Sequence, residues 1–285
     1  MFLLAGPSTI FDMFELEQYQ LLDFGAGRKL ESFSGTIVDR LSPAADGASF
    51  DSPNDCLQFA DDGWKGNPPP KWQLEHGPVK LLLKLTPFGH VGVFPEQATN
   101  WDWIRELPAD LNGCSAINLF AHTGGTTMAL ADRGASVVHV DSAKNVVNWA
   151  RENAAAAGLG DAPIRWIVDD AMKFLNRELK RGKEYDFIVA DPPSFGHGLK
   201  KSSWKFERDL PQLMNVLSQL SSPNLVALLL TCHTTGYTCA NLLRDTRQHF
   251  DFLARKRFSK GSMSIKQAGS DRRLRCGHYV RWSAS

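Results

Sequence analysis

The chain has 285 residues, of which 43% are hydrophobic and 22% are charged, and its formal net charge is +1. This composition is typical of a globular protein, and it excludes a global basic field, so a nucleic-acid surface would have to be a local patch. The five cysteines include no C-x-x-C pair, which argues against a disulfide framework or a cysteine zinc site. The apolar start is too short for a signal peptide and no run could span a membrane, so a cytoplasmic protein is predicted.

The first part of the chain predicts a small β-rich domain, which we place at residues 1–105. Short alternating runs predict strands at residues 20–23, 36–38, 79–85 and 90–94. Clusters rich in glycine and proline separate these runs and predict turns.

Residues 106–285 alternate between strand and helix patterns and form the second predicted domain. Strands are predicted at 116–120, 137–141, 164–168, 185–191 and 225–232, and helices at 126–133, 144–157, 171–181, 206–220 and 239–249. Two late runs, 252–257 and 275–282, predict edge strands. The alternation indicates an α/β, Rossmann-like fold with a mostly parallel sheet and helices on both faces. Ligands of such sheets bind beyond the carboxyl ends of the strands, so the residues there are the candidates for a site.

The first two strand ends carry groups that suit a nucleotide. The first strand leads into N-L-F-A-H-T-G-G at 118–125, where two glycines would let the backbone approach a ligand closely. This spacing is not G-x-G-x-x-G, so the dinucleotide fingerprint is absent. Asp141 ends the second strand, where a carboxylate can accept from two ribose hydroxyls. Its alternative role is to cap the next helix.

The next two strand ends add acceptor groups for a nucleobase. Either Asp169 or Asp170, with Asp170 preferred, can accept from an adenine amino group, and the other can cap the following helix. The fourth strand ends in D-P-P-S-F at 191–195. Proline has no N–H, so this corner presents acceptors only, which suits an exocyclic amine, and Phe195 can stack on its ring. One such corner is often a plain turn, but four strand ends in this order predict a nucleotide cofactor.

The fifth strand ends in Thr231-Cys232-His233. Cys232 at this position would face the same crevice as Asp191 and could act as a nucleophile, whereas the alternative is a buried, inert thiol. His233 could lower the pKa of that thiol, although adjacent residues of a strand face opposite ways. His122 and His197 are interpreted as loop histidines that line a polar crevice, and no metal site is predicted.

Together these motifs resemble the class I S-adenosylmethionine-dependent methyltransferases. N-L-F-A-H-T-G-G, followed by V-D-S-A-K, D-D-A-M-K-F and D-P-P-S-F, is similar to the branch of bacterial 23S ribosomal RNA methyltransferases that contains cytosine-5 and guanine-modifying members. The resemblance covers residues 75–285 and includes F-G-H-V-G-V-F-P-E-Q at 88–97. The RNA-binding PUA domain of that branch is not recognisable here, and Thr-Cys-His stands where Ser-Cys-Ser is typical.

The resemblance implies S-adenosylmethionine as cofactor, RNA, in particular ribosomal RNA, as partner, and a role for each matching residue. The loop after the first strand would hold the methionine part, Asp141 the ribose, and Asp169 or Asp170 the adenine. Asp191 would lie between cofactor and target base. The cofactor-binding residues so implied are Phe94, Gln97, Asn118, Phe120, Ala121, Thr123, Gly124, Gly125, Asp141, Ser142, Asp169, Asp170, Asp191 and Pro192. The catalytic residues so implied are Asp191 and Cys232.

Several alternatives stay open at this point. The methyl acceptor could be a protein or a small molecule. A nicotinamide oxidoreductase lacks support because G-x-G-x-x-G is missing, and a non-catalytic RNA-binding protein would not need intact cofactor motifs. Carbon 5 of cytosine needs a thiolate, whereas a ring nitrogen or amine needs alignment and an acceptor for its proton. Basic clusters at 200–208, 255–260 and 272–275 could contact phosphates or be ordinary surface charge.

Overall fold

The structure is a computed structural model that describes residues 14–197 and 203–284. Lys200 and Lys201 of the first predicted basic cluster, and the side chain of His197, lie outside the described residues. The strands are β1 (Tyr19–Gly25), β2 (Arg28–Phe33), β3 (Thr36–Leu41), β4 (Leu57–Ala60), β5 (Gly63–Lys65), β6 (Gln73–His76), β7 (Val79–Leu82), β8 (Ser115–Leu119), β9 (Ser136–Asp141), β10 (Ile164–Val168), β11 (Phe187–Ala190), β12 (Phe195–His197), β13 (Ser203–Lys205), β14 (Ala227–Cys232), β15 (Ser259–Lys266) and β16 (Arg273–Ser283). The helices are α1 (Ala98–Glu106), α2 (Gly125–Asp132), α3 (Lys144–Ala156), α4 (Ala171–Lys180), α5 (Phe206–Gln219) and α6 (Cys239–His249).

A seven-stranded sheet in the order β10-β9-β8-β11-β14-β16-β15 positions the candidate site. The first five strands of this order run parallel, and β16 runs antiparallel to both of its neighbours. Every residue of β11 and β14 is buried, as expected for central parallel strands covered on both faces. The chain order reverses between β8 and β11, which is the switch point where such sheets bind ligands. The predicted Rossmann-like sheet is therefore confirmed.

The two faces of this sheet contribute to two separate hydrophobic cores. Val189 and Leu229 belong to the core that also contains Trp101 of α1 and Met128 of α2. Ala190 and Leu230 belong to the core that contains residues of α4, α5 and α6. Because alternate residues of a strand point to opposite faces, the parity of each position decides which core it joins.

The N-terminal part is rich in β-structure, as predicted, with a five-stranded sheet in the order β1-β2-β3-β4-β5 and a separate β6–β7 hairpin. The turn between β15 and β16 joins this part to the large sheet. In this turn, Ala268 N donates to Leu21 O of β1 at 2.8 Å, and Arg272 forms an ion pair with Asp23 of β1 at 2.9 Å. One hydrophobic core includes Phe33 of this part and Met128 of α2. The division into domains at residue 105 stays a prediction.

Two predicted strands are wrong. Residues 90–94 form a loop, because Gly89 and Gly92 have φ angles of +78° and +95°, which extended strands do not adopt. Residues 252–257 begin in a 3₁₀ turn (Asp251–Leu253) and continue as a turn, and the edge strand is instead β15. In the described ranges, no helix combines the length and the apolar character that crossing a membrane requires.

Candidate active site

The first of two adjoining pockets lies at the carboxyl ends of β9 and β10. Acidic and polar groups edge this pocket, and aromatic and apolar side chains form its walls. The residues that line it include Asp141, Ser142, Asp169, Asp170, Phe120, Met172, Pro193 and Trp204. The rings of Phe120 and Trp204 lie 5.3 Å apart, centroid to centroid. An apolar slot edged by carboxylates is suited to a purine nucleoside, whose ring is flat and whose amine and hydroxyls are donors.

Asp141 connects the loops that follow β8 and β9. Its Oδ2 accepts from His122 N and its Oδ1 from Ala143 N, each at 3.0 Å. The N-cap of α3 is Ala143, so Asp141 is not the helix cap that the sequence left as an alternative. A carboxylate has about four lone-pair sites, so Asp141 keeps room for a further donor. Burial raises the pKa of Asp141, although the N–H groups of Ala143, His122 and Ser142 act in the opposite direction.

Asp169 and Asp170 both combine a structural role with a place in the pocket wall. Asp170 caps α4, because its Oδ1 accepts from Lys173 N at 3.0 Å. Asp169 accepts from Asp170 N at 2.8 Å and forms an ion pair with Arg177. The second oxygen of Asp170 accepts no hydrogen bond from the described residues, which keeps it available to a ligand and agrees with the preference for Asp170.

The loop after β8 has an unusual backbone conformation. Phe120 and His122 have φ angles of +55° and +49°, values that non-glycine residues adopt rarely and mostly at functional sites. Gly124 has φ +91°, and a Cβ on Gly125 would lie 2.4 Å from Trp101. Only glycine therefore fits the last two positions, and the loop leads directly into the N-terminus of α2.

The second pocket lies beside this loop and shares Phe120 with the first. It brings together nine of the predicted residues, which are Phe94, Gln97, Asn118, Phe120, Ala121, Thr123, Gly124, Gly125 and Asp191. His122, Trp101 and Thr231 also line it. Pro192 is buried and lines neither pocket, whereas its neighbour Pro193 lines the first. Two pockets that meet at one aromatic ring suit a ligand with a nucleoside at one end and an amino acid at the other.

Asp191 receives hydrogen bonds from three side chains, one in the turn before α1 and two at the end of β14. Gln97 Nε2 donates to Oδ2 at 2.8 Å, His233 Nε2 contacts Oδ1 at 3.0 Å, and the Thr231 hydroxyl also donates to Oδ1. Oδ1 is therefore saturated, while Oδ2 keeps one lone pair. The Asp191 side chain is 27% exposed, so a ligand can reach that remaining acceptor.

His233 is held as an imidazolium by its two partners. Its Nδ1 lies 2.7 Å from Cys276 O, and its Nε2 faces Asp191. Neither a carbonyl nor an ionised carboxylate can donate, so both ring nitrogens carry hydrogen. Burial lowers the pKa of His233, but the charges of Asp191 and Glu96 outweigh it and raise the value to about 10. Burial alone would raise the pKa of Asp191, yet the His233 charge and the hydrogen bonds from His233 and Thr231 lower it.

Gln97 belongs to a chain of hydrogen bonds that begins at Arg281. Arg281 donates to Asn100 Oδ1 from Nε at 2.9 Å and from Nη2 at 2.6 Å. Asn100 Nδ2 donates to Gln97 Oε1 at 2.5 Å, and Gln97 then donates to Asp191. Arginine has no acceptor, so it fixes the direction of every bond in this series. We call Arg281, Asn100 and Gln97 the amide relay.

Cys232 is not brought to Asp191. Its side chain is fully buried in the core that contains residues of α4, α5 and α6, opposite the face that carries Thr231. Burial raises the pKa of the Cys232 thiol, which disfavours the thiolate. A nucleophilic Cys232 stays a prediction without support from this geometry.

Sequence reasoning missed the part that His233 plays as the charged partner of Asp191, and it missed the amide relay. Strand parity could have indicated His233, since it must face away from Cys232. His122 lines the second pocket, and burial lowers its pKa to about 4, so it is neutral at pH 7. Within residues 14–197 and 203–284, no group of three or more His, Cys, Asp or Glu side chains is placed to hold a metal ion.

This site and sheet define a class of protein, and comparison with known proteins identifies it. The sequence model of the S-adenosylmethionine-dependent methyltransferases matches residues 56–253, so the chain belongs to that family, and its cofactor is S-adenosylmethionine. The crystal structure of a SAM-dependent methyltransferase from Agrobacterium tumefaciens is 33% identical, with a TM-score of 0.84, and the match covers 94% of this chain and 91% of that one.

Two curated relatives are named as ribosomal RNA enzymes. Ribosomal RNA large subunit methyltransferase K/L of Shewanella frigidimarina is 33% identical over 153 residues, which is 53% of this chain and 20% of that protein. Ribosomal RNA large subunit methyltransferase I of Aeromonas hydrophila is 30% identical over 174 residues, which is 60% of this chain and 41% of that protein. The chain thus spans less than half the length of either relative.

The Asp191–His233 ion pair predicts a pH-dependent stability. A histidine whose pKa rises from 6.5 to about 10 on folding stabilises the protein fully below pH 6.5, and this contribution is lost as the pH rises through about 10. Urea unfolding of the wild type and of His233→Gln should therefore show a difference in free energy that shrinks between pH 6.5 and 10. A difference that stays constant over this window would mean that His233 is neutral in the folded protein.

Proposed function

We propose that this methyltransferase modifies a base of ribosomal RNA, at a ring nitrogen or an exocyclic amine, and that the two adjoining pockets and Asp191 form its active site. The observation that carries the proposal is the one unused acceptor of Asp191 Oδ2 at the end of β11, beside the pocket formed by the loop after β8. The names of the two curated relatives support ribosomal RNA as the substrate. A cytoplasmic location, where ribosomal RNA is made in bacteria, fits the same proposal.

The residues of the two pockets fit the cofactor of the family. Asp141 keeps acceptor capacity for a ribose hydroxyl, and Asp170 has a free carboxylate oxygen for the adenine amine. Phe120 and Trp204 would pack against the adenine ring, and the Gly124–Gly125 backbone would lie against the methionine part. When bound, S-adenosylmethionine supplies a methyl group on a positively charged sulfur.

Asp191 would orient the acceptor rather than act as a strong base. Because its pKa is lowered, the carboxylate is charged at neutral pH and holds a proton poorly. Its Oδ2 would accept an N–H of the target base and so direct the nitrogen lone pair into the second pocket. The imidazolium of His233 keeps this carboxylate charged and fixed in place. Positioning of this kind supplies most of the catalysis in a displacement reaction.

Phe195 would hold the target base from the side. It follows the Asp-Pro-Pro corner, and 77% of the residue is exposed. An exposed aromatic ring beside a fixed acceptor can stack on a base that has been turned out of its strand. The Pro193 carbonyl accepts from Trp204 Nε1 at 2.6 Å, which ties the corner to the adenine pocket.

The role of Asp141 predicts a loss of cofactor affinity. Asp141→Ala should weaken binding of S-adenosylhomocysteine by at least tenfold, since hydrogen bonds to a charged group contribute about 1.5–3 kcal/mol. Calorimetric titration measures this change. Asp132→Ala, which removes an exposed carboxylate from the end of α2, is the matched control and should bind as the wild type does. Equal affinities for the wild type and Asp141→Ala would remove the ribose role from Asp141.

Transfer of a labelled methyl group to unmodified ribosomal RNA, followed by nucleoside analysis, tests the proposed function. The wild type should label one base at a nitrogen. Asp191→Ala should abolish most of this transfer while its cofactor affinity stays within about tenfold, because the loss falls on the reaction step. Label that appears in protein or in a small molecule, and not in RNA, would contradict the RNA substrate. Undiminished turnover by Asp191→Ala would show that the corner is structural.

The position of Cys232 decides between nitrogen and carbon acceptors. Cys232→Ser should keep turnover within about threefold of the wild type, because the thiol lies in the core and not in the pocket. RNA that carries 5-fluorocytosine should form no covalent adduct with the wild type, whereas a cytosine-5 enzyme would trap one through its thiolate. An adduct that disappears in Cys232→Ser would establish the cysteine mechanism and overturn the nitrogen acceptor.

A further inference from the structure

A second concave surface lies at the opposite edge of the large sheet, where the parallel strands begin. This open groove has a volume of about 1250 Å³ and is bounded by the segments that precede β14 and β15, the end of β16, and Trp103 of α1. It shares no lining residue with the two pockets of the active site. We call it the basic groove.

Positively charged side chains and aromatic rings both line the basic groove. Its cations are Lys256, Arg257, Lys260 and Arg281, against one carboxylate, Glu184. Phe252, which is 49% exposed, is the ring most open to a ligand, whereas Phe258 is half-buried and Trp282 is buried in the groove wall. In the described ranges, Lys256, Arg257 and Lys260 form neither ion pairs nor side-chain hydrogen bonds. Exposed cations interleaved with aromatic rings are the combination with which proteins bind single-stranded nucleic acid.

Arg281 is the buried member of this set and makes the groove more than a charged surface. The residue is only 8% exposed, and none of the described carboxylates lies within ion-pair distance of its guanidinium. Nε and Nη2 are used by Asn100 and Thr99, but Nη1 donates to no described residue. Burial lowers the pKa of Arg281 to about 10, although Tyr279 and the charges of Asp102 and Glu106 act in the opposite direction. The guanidinium stacks on the rings of Trp103 and Tyr279, at 5.4 and 4.0 Å from their centroids. A buried cation that contacts no carboxylate directly and keeps Nη1 unused would gain from an anion in the groove.

The basic groove is connected to the active site in two ways. The hydrogen bonds of the amide relay link Arg281 to Asp191 through the side chains of Asn100 and Gln97. Along β16, Cys276, whose carbonyl contacts His233, is five residues from Arg281, or roughly 17 Å of extended strand. A nucleic acid of a few nucleotides can span such a distance.

We propose that the basic groove binds the phosphate backbone of a single-stranded segment of the RNA substrate, with a base stacked on Phe252. The proposal rests on the proposed function for the identity of the substrate. The phosphates would contact Lys256, Lys260 and Arg281 Nη1, and these contacts would be independent of sequence. Such a groove would position the RNA while Asp191 selects the base.

Binding of a labelled oligouridylate, followed by fluorescence anisotropy over a range of salt concentrations, tests the groove directly. Lys256→Glu/Lys260→Glu should weaken binding at least tenfold and reduce the salt slope by about 0.7 for each lost phosphate contact. Lys71→Glu/Lys180→Glu changes two exposed lysines outside the groove by the same charge and should bind as the wild type does. Phe252→Ala should weaken binding by at least about fivefold and leave the salt slope unchanged.

The outcomes separate this proposal from the proposed function. The groove proposal is wrong if oligouridylate binds Lys256→Glu/Lys260→Glu as tightly as it binds the wild type. It is also wrong if both double variants lose affinity equally. Either result holds against the groove even if ribosomal RNA is methylated. Groove-dependent oligouridylate binding without methyl transfer to ribosomal RNA upholds the groove and overturns the proposed function. If phosphatidylserine vesicles bind through these lysines and oligouridylate does not bind, the groove is a membrane-binding surface and the RNA proposal is wrong. Thermal unfolding and S-adenosylhomocysteine binding confirm that each variant is folded.

Discussion

The orientation of the active site depends on one constraint, namely that the Arg281 guanidinium can only donate. Buried beneath α1, it forces Asn100 to present its carbonyl oxygen, so the Asn100 amide must donate to Gln97. Gln97 in turn must present its own amide nitrogen to Asp191. Amide orientations in proteins are usually inferred from their surroundings, and here a single cation determines two of them. Arg281 does not contact Asp191, yet it determines which group of Gln97 donates to Asp191 Oδ2.

The other side of Asp191 is set by a charge. His233 is clamped between the Cys276 carbonyl and the carboxylate, and it becomes an imidazolium because neither partner can donate. Both parts of this arrangement rely on β16, since it carries Cys276 beyond the carboxyl end of β14 and Arg281 opposite Leu229 of β14. One continuous strand beside β14 therefore supplies both the carbonyl that contacts His233 and the guanidinium that orients Asn100. The insertion of β16 beside β14 is therefore a part of the site as well as of the fold.

The sequence predicted those features that depend on local pattern and on the rules of parallel sheets. Long apolar strands and helices with glycine ends were found within one or two residues, and the acids after β9, β10 and β11 lie where the switch point requires. The loop at 90–94 was missed because its apolar residues alternate like a strand while Gly92 turns the backbone. The edge strand β15 was missed because its sequence, S-K-G-S-M-S-I-K, has little apolar character. Arg281 carries no local signal at all, since its partners are about 180 residues away in sequence.

The parity of β14 links these observations to the chemistry of the acceptor. Ala190 pairs with Leu230, so the next residues, Asp191 and Thr231, lie side by side on the same face, and Cys232 must face the other way. Bringing the thiol to Asp191 would require β14 to slip by one residue. That slip would also exchange Leu228 and Leu230, which are buried in the core with α4, α5 and α6, with Leu229 on the opposite face. The register of a fully buried central strand thus favours a site with a charged histidine beside Asp191 over one with a thiolate, and it is the same register that leaves Asp191 Oδ2 open to a nitrogen-bound proton.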